Sequence, residues 1–350
     1  MENTFFDLTK EQVSKDPAEQ LVNFKRTKDF LVTIDNDGCV TDNMNAKQML
    51  VFQPLFMEFY GLWDIESYFR EVSEFYNLFS IHRGCNRFIA LQYSLKALHA
   101  RKDLKKILSE KHLSLPSLKS LDEYLEYCKI NNLSPGNRTM EKYLAKTPND
   151  LSLYKLLGWS EAVNNSIMHM NDKVPPFSPV VEALEVISKH ADIVVVAQAS
   201  YFDLLNYWSV QGIKKYLRTI AGQEMGTKFQ NIEMVKKAGG YKDEQVLMLG
   251  DADGDLKAVK KNNGYFYPVM PGNEKKSWVE FQKNFEAFIK GKYKPLEEKL
   301  IKDFSTVLLA EPAWEKPGYN HKAAYKEKQE IRKAIYETLN PKGKLQVIDE

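Results

Sequence analysis

The chain has 350 residues, 43% of them hydrophobic and 27% charged, which is the balance of a soluble globular protein of one large domain or two ordinary ones. Forty-nine Lys and Arg against 47 Asp and Glu leave a net charge of only +2, so composition gives no reason to expect nucleic-acid binding. Three scattered cysteines (Cys39, Cys85, Cys128) and six histidines without HExxH spacing exclude a disulfide framework or an evident zinc site, and no apolar run approaches the roughly 18 residues of a membrane span. The start, "MENTFFDLTKEQVSKDPAEQ", lacks the basic-then-apolar order of a secretory signal, and a cytoplasmic protein is the expectation.

Taken in chain order, residues 1–27 are an N-terminal approach to a strand, "FLVTI" at Phe30–Ile34. Residues 44–172 follow with aromatic and Leu residues at three- and four-residue spacing, as in "FQPLFMEFYGLWDIESYFREVSEFYNLF", which predicts helices with a helix–helix core. Breakers such as "NLSPGN" divide them. Pro175, Pro176 and Pro179 mark a change of rhythm, with Ser178 expected to cap a helix bearing Val180, Leu184 and Ile187 on one face. Strands "DIVVVAQ", "LRTIAG", "QVLMLGD" and "YFYPVM" then alternate with helices, the pattern of parallel βαβ units. The predicted class is α/β, a doubly wound parallel sheet, with the helical region inserted after its first strand. Residues 28–43 and 173–289 form the predicted core, 44–172 a helical cap, and 290–350 a Lys- and Glu-rich helical extension.

The strand Phe30–Ile34 ends in "DNDGCVTD", with Asp35, Asp37 and Asp42 crowded around Gly38. Two carboxylates about 4 Å apart at an effective dielectric of 20 repel by roughly 4 kcal/mol. A bound cation is the simplest compensation. Ligands of parallel α/β sheets bind beyond the carboxyl ends of the strands. That places Asp35 and Asp37, Ala197 to Ser200, and Gly250, Asp251 and Asp255 at one pocket. Thr227 and Gln230 have the spacing of a capping box, which puts Lys228 in the first turn of a helix beside them. Carboxylate oxygens without His or thiolate suit Mg²⁺.

These residues resemble the haloacid dehalogenase (HAD) superfamily. "DNDGCVTD" matches its first motif, Lys228 in "GTKFQ" its lysine motif, and "GDADGD" at Gly250–Asp255 its final acidic motif, in the same order and at similar long spacing. The resemblance implies that Asp35 is a nucleophile forming an aspartyl-phosphate, and that Asp37 protonates the leaving alkoxide and then activates water. It implies Mg²⁺ held by Asp35, the Asp37 carbonyl and Asp251, with Asp255 beside it. Lys228 would hold Asp35 and the phosphoryl oxygens, and Gly38 would let the backbone turn past the phosphate. The second aspartate, Asp37, favours phosphoryl transfer over dehalogenation, since a halide leaves without a proton.

One position departs from the family pattern. The second motif calls for Thr or Ser after the second strand, and "VVVAQAS" puts Ala197 there, with Gln198 and Ser200 as substitutes for the phosphate contact. Cys39 has no paired His and reads as a small turn residue. In the cap, "HRGCNRF" brings Arg83, Asn86 and Arg87 together. With Arg83 and Arg87 four residues apart on a helix, they read either as a substrate-facing cluster or as a salt-bridged surface. The expected function is a Mg²⁺-dependent phosphatase acting on a small phosphorylated metabolite, with the cap contributing specificity. The alternatives are a phosphomutase of the same fold, or a non-catalytic HAD-like binding protein. No nucleic-acid or membrane partner is expected, and the sequence leaves the oligomeric state open.

Overall fold

The apolar runs picked out above are five strands of one parallel sheet: β1 (Phe30–Ile34), β2 (Ala191–Val196), β3 (Thr219–Ala221), β4 (Val246–Gly250) and β5 (Tyr265–Pro268). The structure is a computed structural model, and it describes residues 7–170 and 174–339. Strand order is β3-β2-β1-β4-β5, so β1 is central and the chain winds outward from it in both directions. Ile34 is level with Val195 on one side and Leu249 on the other. Every residue of β2 and β4 is buried, which explains their unbroken apolar runs: helices cover both faces of the sheet.

One polar residue interrupts this pattern. Asp192, 1% exposed at the start of β2, accepts hydrogen bonds from the Thr27 and Lys28 amides (2.7 and 3.0 Å) and the Tyr241 hydroxyl, and pairs with Arg218. A buried carboxylate this fully partnered is tolerated, and it ties the approach to β1 to the neighbouring strand.

The described residues divide into two compact units, 7–44 with 174–309 and 45–170 with 310–339. Each has its own apolar core. In the helical unit the aromatic residues are core, as expected: Phe56 stacks on Phe69 at 5.0 Å and meets the Trp159 edge at 5.4 Å. None of the described helices is long and apolar enough to cross a membrane.

Two expectations need correction. Ser178 does not cap the helix before β2. That helix is Val180–His190, preceded by Pro179 at φ −82° and ψ −3°, and no side chain caps it. The entry is instead fixed by backbone, with the Phe177 amide donating to Val40 and the Val180 amide to Phe177. The C-terminal region is also not one extension. The helix Lys294–Val307 contributes Phe304 to the sheet's core, and its Glu297 accepts from the Phe266 amide of β5. From Ala310 onward the chain belongs with the helical unit: Trp314 packs on Phe75, and His321 stacks on Tyr68 with ring centroids 3.8 Å apart. Lys and Glu content hid this division, because the few contacts that decide it are made by isolated aromatic and charged side chains.

Candidate active site

Just past the carboxyl end of β1 the chain makes a tight loop. The amides of Cys39, Val40 and Thr41 all point at the Asn36 carbonyl, and Gly38 bonds to Thr41. Gly38 sits at φ +81°, in the left-handed region that glycine enters without a Cβ penalty. The Trp278 indole donates to the Cys39 carbonyl at 2.8 Å, fixing the loop from the side. Cys39 is buried beneath it, and burial first, with the nearby acids, pushes its thiol well up; it is the inert turn residue expected.

This loop and the end of β4 bring three carboxylates together. Asp35, Asp251 and Asp255 are 7%, 1% and 0% exposed, and each offers an oxygen within 4.8 Å of the others. Lys228 lies between two of them, its Nζ 2.7 Å from Asp35 and 2.5 Å from Asp255. The lysine is placed by its helix, Lys228–Gly239, whose N-terminus carries the capping box of Thr227 and Gln230 read from the sequence. Asp255 is aimed by a further bond from the Ala252 amide at 3.1 Å.

The electrostatics follow from this crowding. Burial is the largest influence on Asp35 and raises its carboxyl from 3.8 to about 7; Lys228 opposes the rise and Asp255 adds to it. Asp255 is raised for the same first reason. Burial works against the charge of Lys228, but Asp255 and Asp35 outweigh it and hold the ammonium well above its ordinary range. Three buried carboxylates facing one ammonium leave an excess of negative charge and a set of hard oxygen donors, a donor set that fits Mg²⁺. The Asp37 carboxylate is not among the grouped oxygens.

Two outcomes follow from this geometry. Cation binding should weaken as pH falls below about 7, because the cation must then displace a proton from Asp35. Titration calorimetry with Mg²⁺ in buffers of different ionisation enthalpy should show proton release at pH 6 and little at pH 8. Equal proton release at both would contradict the assignment of Asp35 as a ligand. The second concerns Gly250, whose missing side chain makes room for Asp255. A Cβ there would lie 2.4 Å from both Cβ and Cγ of Asp255, close to that residue's backbone where little can give. Gly250→Ala should therefore weaken Mg²⁺ binding by about 10- to 100-fold, the range for disturbing a ligand's support. An unchanged affinity in the folded variant would show that Asp255 is not needed where it stands.

The second-motif positions are now placed. Ala197 is buried past the end of β2 and has no side-chain donor. Gln198 is exposed, and its amide donates to the Gly226 carbonyl at 3.3 Å, on the loop that leads to Lys228. Ser200 accepts from the Asp203 amide and caps the helix Tyr201–Val210. Of the three, Gln198 alone carries a side chain bonded to the loop that leads into the lysine helix.

Arg83, Asn86 and Arg87 do not share a helix face. The chain turns between Ser80 and Asn86, and the helix is Arg87–Ala100 with Asn86 as its N-cap. Arg83 is buried and donates to the Leu78 carbonyl at 2.9 Å. Asn86 accepts from the Phe88 amide and donates to the Pro135 carbonyl. Arg87 donates to Ser160, lies 5.1 Å over the Phe52 ring, and is lowered to about 10 by burial. These groups are engaged in holding helices together. Gly84 at φ +76° and the N-capping propensity of Asn86 were the local signals of that turn.

Three residues at the site were not singled out from sequence: Asn36, Asn43 and Trp208. The Asn36 and Asn43 amides donate to Asp37 Oδ1 at 2.7 and 2.6 Å, and the Trp208 indole donates to Asn36 Oδ1 at 2.9 Å. Asn36 could have been noticed as an amide between two acids at a buried strand end; the approach of Trp208, 172 residues away, could not.

No family model and no curated protein matches the chain. Among solved structures, it is similar to a haloacid dehalogenase-like family hydrolase from Xanthomonas campestris, at 13% identity over 71% of this chain and 86% of that one, TM-score 0.39. A haloacid dehalogenase-like family protein from Streptococcus pneumoniae aligns at 10% identity over 71% and 90%, TM-score 0.35. A HAD-superfamily hydrolase, subfamily IA, from Geobacter sulfurreducens aligns at 11% over 69% and 88%, TM-score 0.35. The chain's own topology has an aspartate after the central strand, a lysine opening a helix, two acids after the neighbouring strand, and a helical region inserted after the first strand.

Proposed function

We propose that the protein is a Mg²⁺-dependent phosphatase of the HAD type, acting on a small phosphorylated metabolite through an aspartyl-phosphate on Asp35. The observation that carries this reading is the buried set of Asp35, Asp251 and Asp255 around Lys228, next to a second, separately held carboxylate on Asp37. Asp35 and Lys228 form the pair a phosphoryl group needs: a carboxylate oxygen to attack phosphorus and an ammonium to hold the oxygens that gain charge. Asp37 is suited to give a proton to the departing alkoxide and take one from water in the second half. Mg²⁺ held by Asp35, Asp251 and the Asp37 carbonyl, with Asp255 beside it, would neutralise phosphoryl charge. Gln198 is the side chain best placed to replace the hydroxyl that Ala197 lacks. Lys228 would orient the group for in-line attack.

The test is turnover of an aryl phosphate by the purified protein. Hydrolysis should require Mg²⁺, stop on chelation and return when Mg²⁺ is restored. Failure to hydrolyse any of a broad panel of phosphate monoesters with Mg²⁺ present would favour the non-catalytic binding protein instead. Transfer of the phosphoryl group back onto substrate, rather than to water, would favour the phosphomutase.

A further inference from the structure

The edge strand of the sheet, β3, has part of the N-terminal segment beside it. The Gln20 side-chain amide, on the short helix Glu19–Val22, donates to the Ile220 carbonyl of β3 at 2.8 Å. Beside this contact lies a cavity of about 610 Å³, a volume ordinary for a small-molecule site. Thr27, ahead of β1, and Thr219, the first residue of β3, are in its wall, so it lies at the amino ends of the strands. Asp35, Asp251 and Asp255 stand beyond the carboxyl ends. Leu8 and Phe24 give the cavity a buried apolar lining. Three enclosed polar atoms of wall residues have no hydrogen-bond partner among the described residues: Gln20 Oε1, Thr219 Oγ1 and Arg218 Nε. Thr219 is 3% exposed, so its hydroxyl has lost water without gaining a bond.

We propose that this cavity is a second ligand site, separate from the acidic cluster, for a small organic anion with an apolar body and a hydrogen-bond donor of its own. The donor follows from Gln20. Its NH₂ is held by the Ile220 carbonyl, which can only accept, so the end without a partner is Oε1, and only an N–H or O–H can complete it. The negative charge follows from the cations. Lys25, Arg26 and Arg218 line the cavity, against Glu19 as the one acid among the described lining residues. Asp192 meets the charge of Arg218 at 3.3 Å, yet leaves its Nε hydrogen without an acceptor. Arg26 pairs with Asp29 at 3.2 Å, a solvent-exposed pair of the kind that contributes little and is readily exchanged for a bound anion. The apolar body would rest on Leu8 and Phe24, with the Thr219 hydroxyl free to give or take a hydrogen bond. The wall behind is firmly built, because Asp192 holds Thr27, Lys28 and Tyr241 together. The site is independent of the reaction proposed for Asp35.

Titration calorimetry on the full chain, with divalent metal removed by a chelator, tests this with two anions that share the required chemistry. AMP carries a phosphate, and 4-hydroxyphenylacetate carries a carboxylate; each has a ring and a donor. At least one should bind with a dissociation constant of about 1 mM or below. Binding of AMP alone would identify the anion as a phosphate, of 4-hydroxyphenylacetate alone as a carboxylate, and of both as either. Removing the donor (phenylacetate) or the charge (adenosine) should weaken binding about 10-fold or more, because a group in the wall is again left unpaired. Thr219→Val, which keeps the shape and removes the hydroxyl, should weaken binding by about 5- to 10-fold. The double variant Lys25→Glu, Arg26→Glu, at two exposed positions, should nearly abolish it, and carries the test if the valine variant does not fold. Binding of neither anion would overturn the proposal. So would binding that both variants leave unchanged, since the anion would then lie elsewhere, the acidic cluster included.

Discussion

Asp35→Asn should reduce phosphate-ester turnover on the order of 10⁴-fold or more, the consequence of removing a covalent nucleophile while leaving its shape. The asparagine has the volume of the aspartate, and Lys228 keeps its second partner, Asp255, at 2.5 Å, so the site should not collapse. Stability provides an independent readout. In the metal-free protein the carboxyl of Asp35 titrates near 7 instead of 3.8, chiefly because it is buried. Its neutral form is the one the fold prefers. Wild type should therefore lose stability progressively as pH rises from about 4 to about 7 on account of this group, with no further loss above that. The Asn variant lacks that loss, so between pH 4 and pH 8 its melting temperature should fall less than that of wild type. Full turnover by the purified variant would remove Asp35 from the nucleophile's role, and matching pH–stability curves would show that its burial has no such effect.

Arg332→Ala should lower the melting temperature by on the order of 10 °C, through a buried carboxylate of the helical unit. Glu74 is fully buried in the helical unit, and Arg332, from the C-terminal helix His321–Leu339, grips its Oε1 with Nε at 2.9 Å and Nη2 at 2.6 Å. Lys328 is 4.0 Å away. Burial raises the Glu74 carboxyl, and Arg332 and then Lys328 oppose the rise. Breaking one side of a buried ion pair costs about 3–5 kcal/mol, mostly the penalty of the charge left behind. The loss should therefore be largest at alkaline pH and shrink in acid, where Glu74 takes up a proton. Glu74→Gln in the same chain should recover most of it, because the amide has no charge to strand. Lys333→Ala, at an exposed neighbouring position on the same helix, is the control. An Arg332 variant that melts with that control, or a double variant no better than the single, would remove the pair from the forces holding the C-terminal helix in place.

Much of the core was legible because its signals are local. Strands buried on both faces read as Val, Ile and Leu runs, as β1, β2 and β4 do, while β3 and β5 are legible from their alternation with helices. The capping box at Thr227 places Lys228 through bonds spanning three residues, and Gly38 announces its positive φ by having no side chain. Where such signals were weak or competing, local reading failed. Ser178 carries the chemistry of a cap, but the Phe177 backbone was already engaged with Val40, and the helix begins after Pro179 instead. Arg83 and Arg87 have helical spacing, but a turn at Gly84 separates them.

The sequence by itself determined the order of the acidic and lysine motifs and the strands that bear them, since each needs only its neighbours along the chain. The parallel-sheet pattern already pointed Asp35, Asp251 and Asp255 to one pocket, but only tertiary structure set their oxygens within 4.8 Å of one another, because β1 and β4, more than two hundred residues apart, lie side by side in the sheet. It also decided that Trp208 orients Asn36, that Gly250 leaves space for Asp255, and that the C-terminal helix brings Arg332 to Glu74. Hydrogen bonds and ion pairs act over a few ångströms, whatever the separation along the chain. Their partners are therefore settled by packing of the sheet and helices, and no pattern within a stretch of sequence records them.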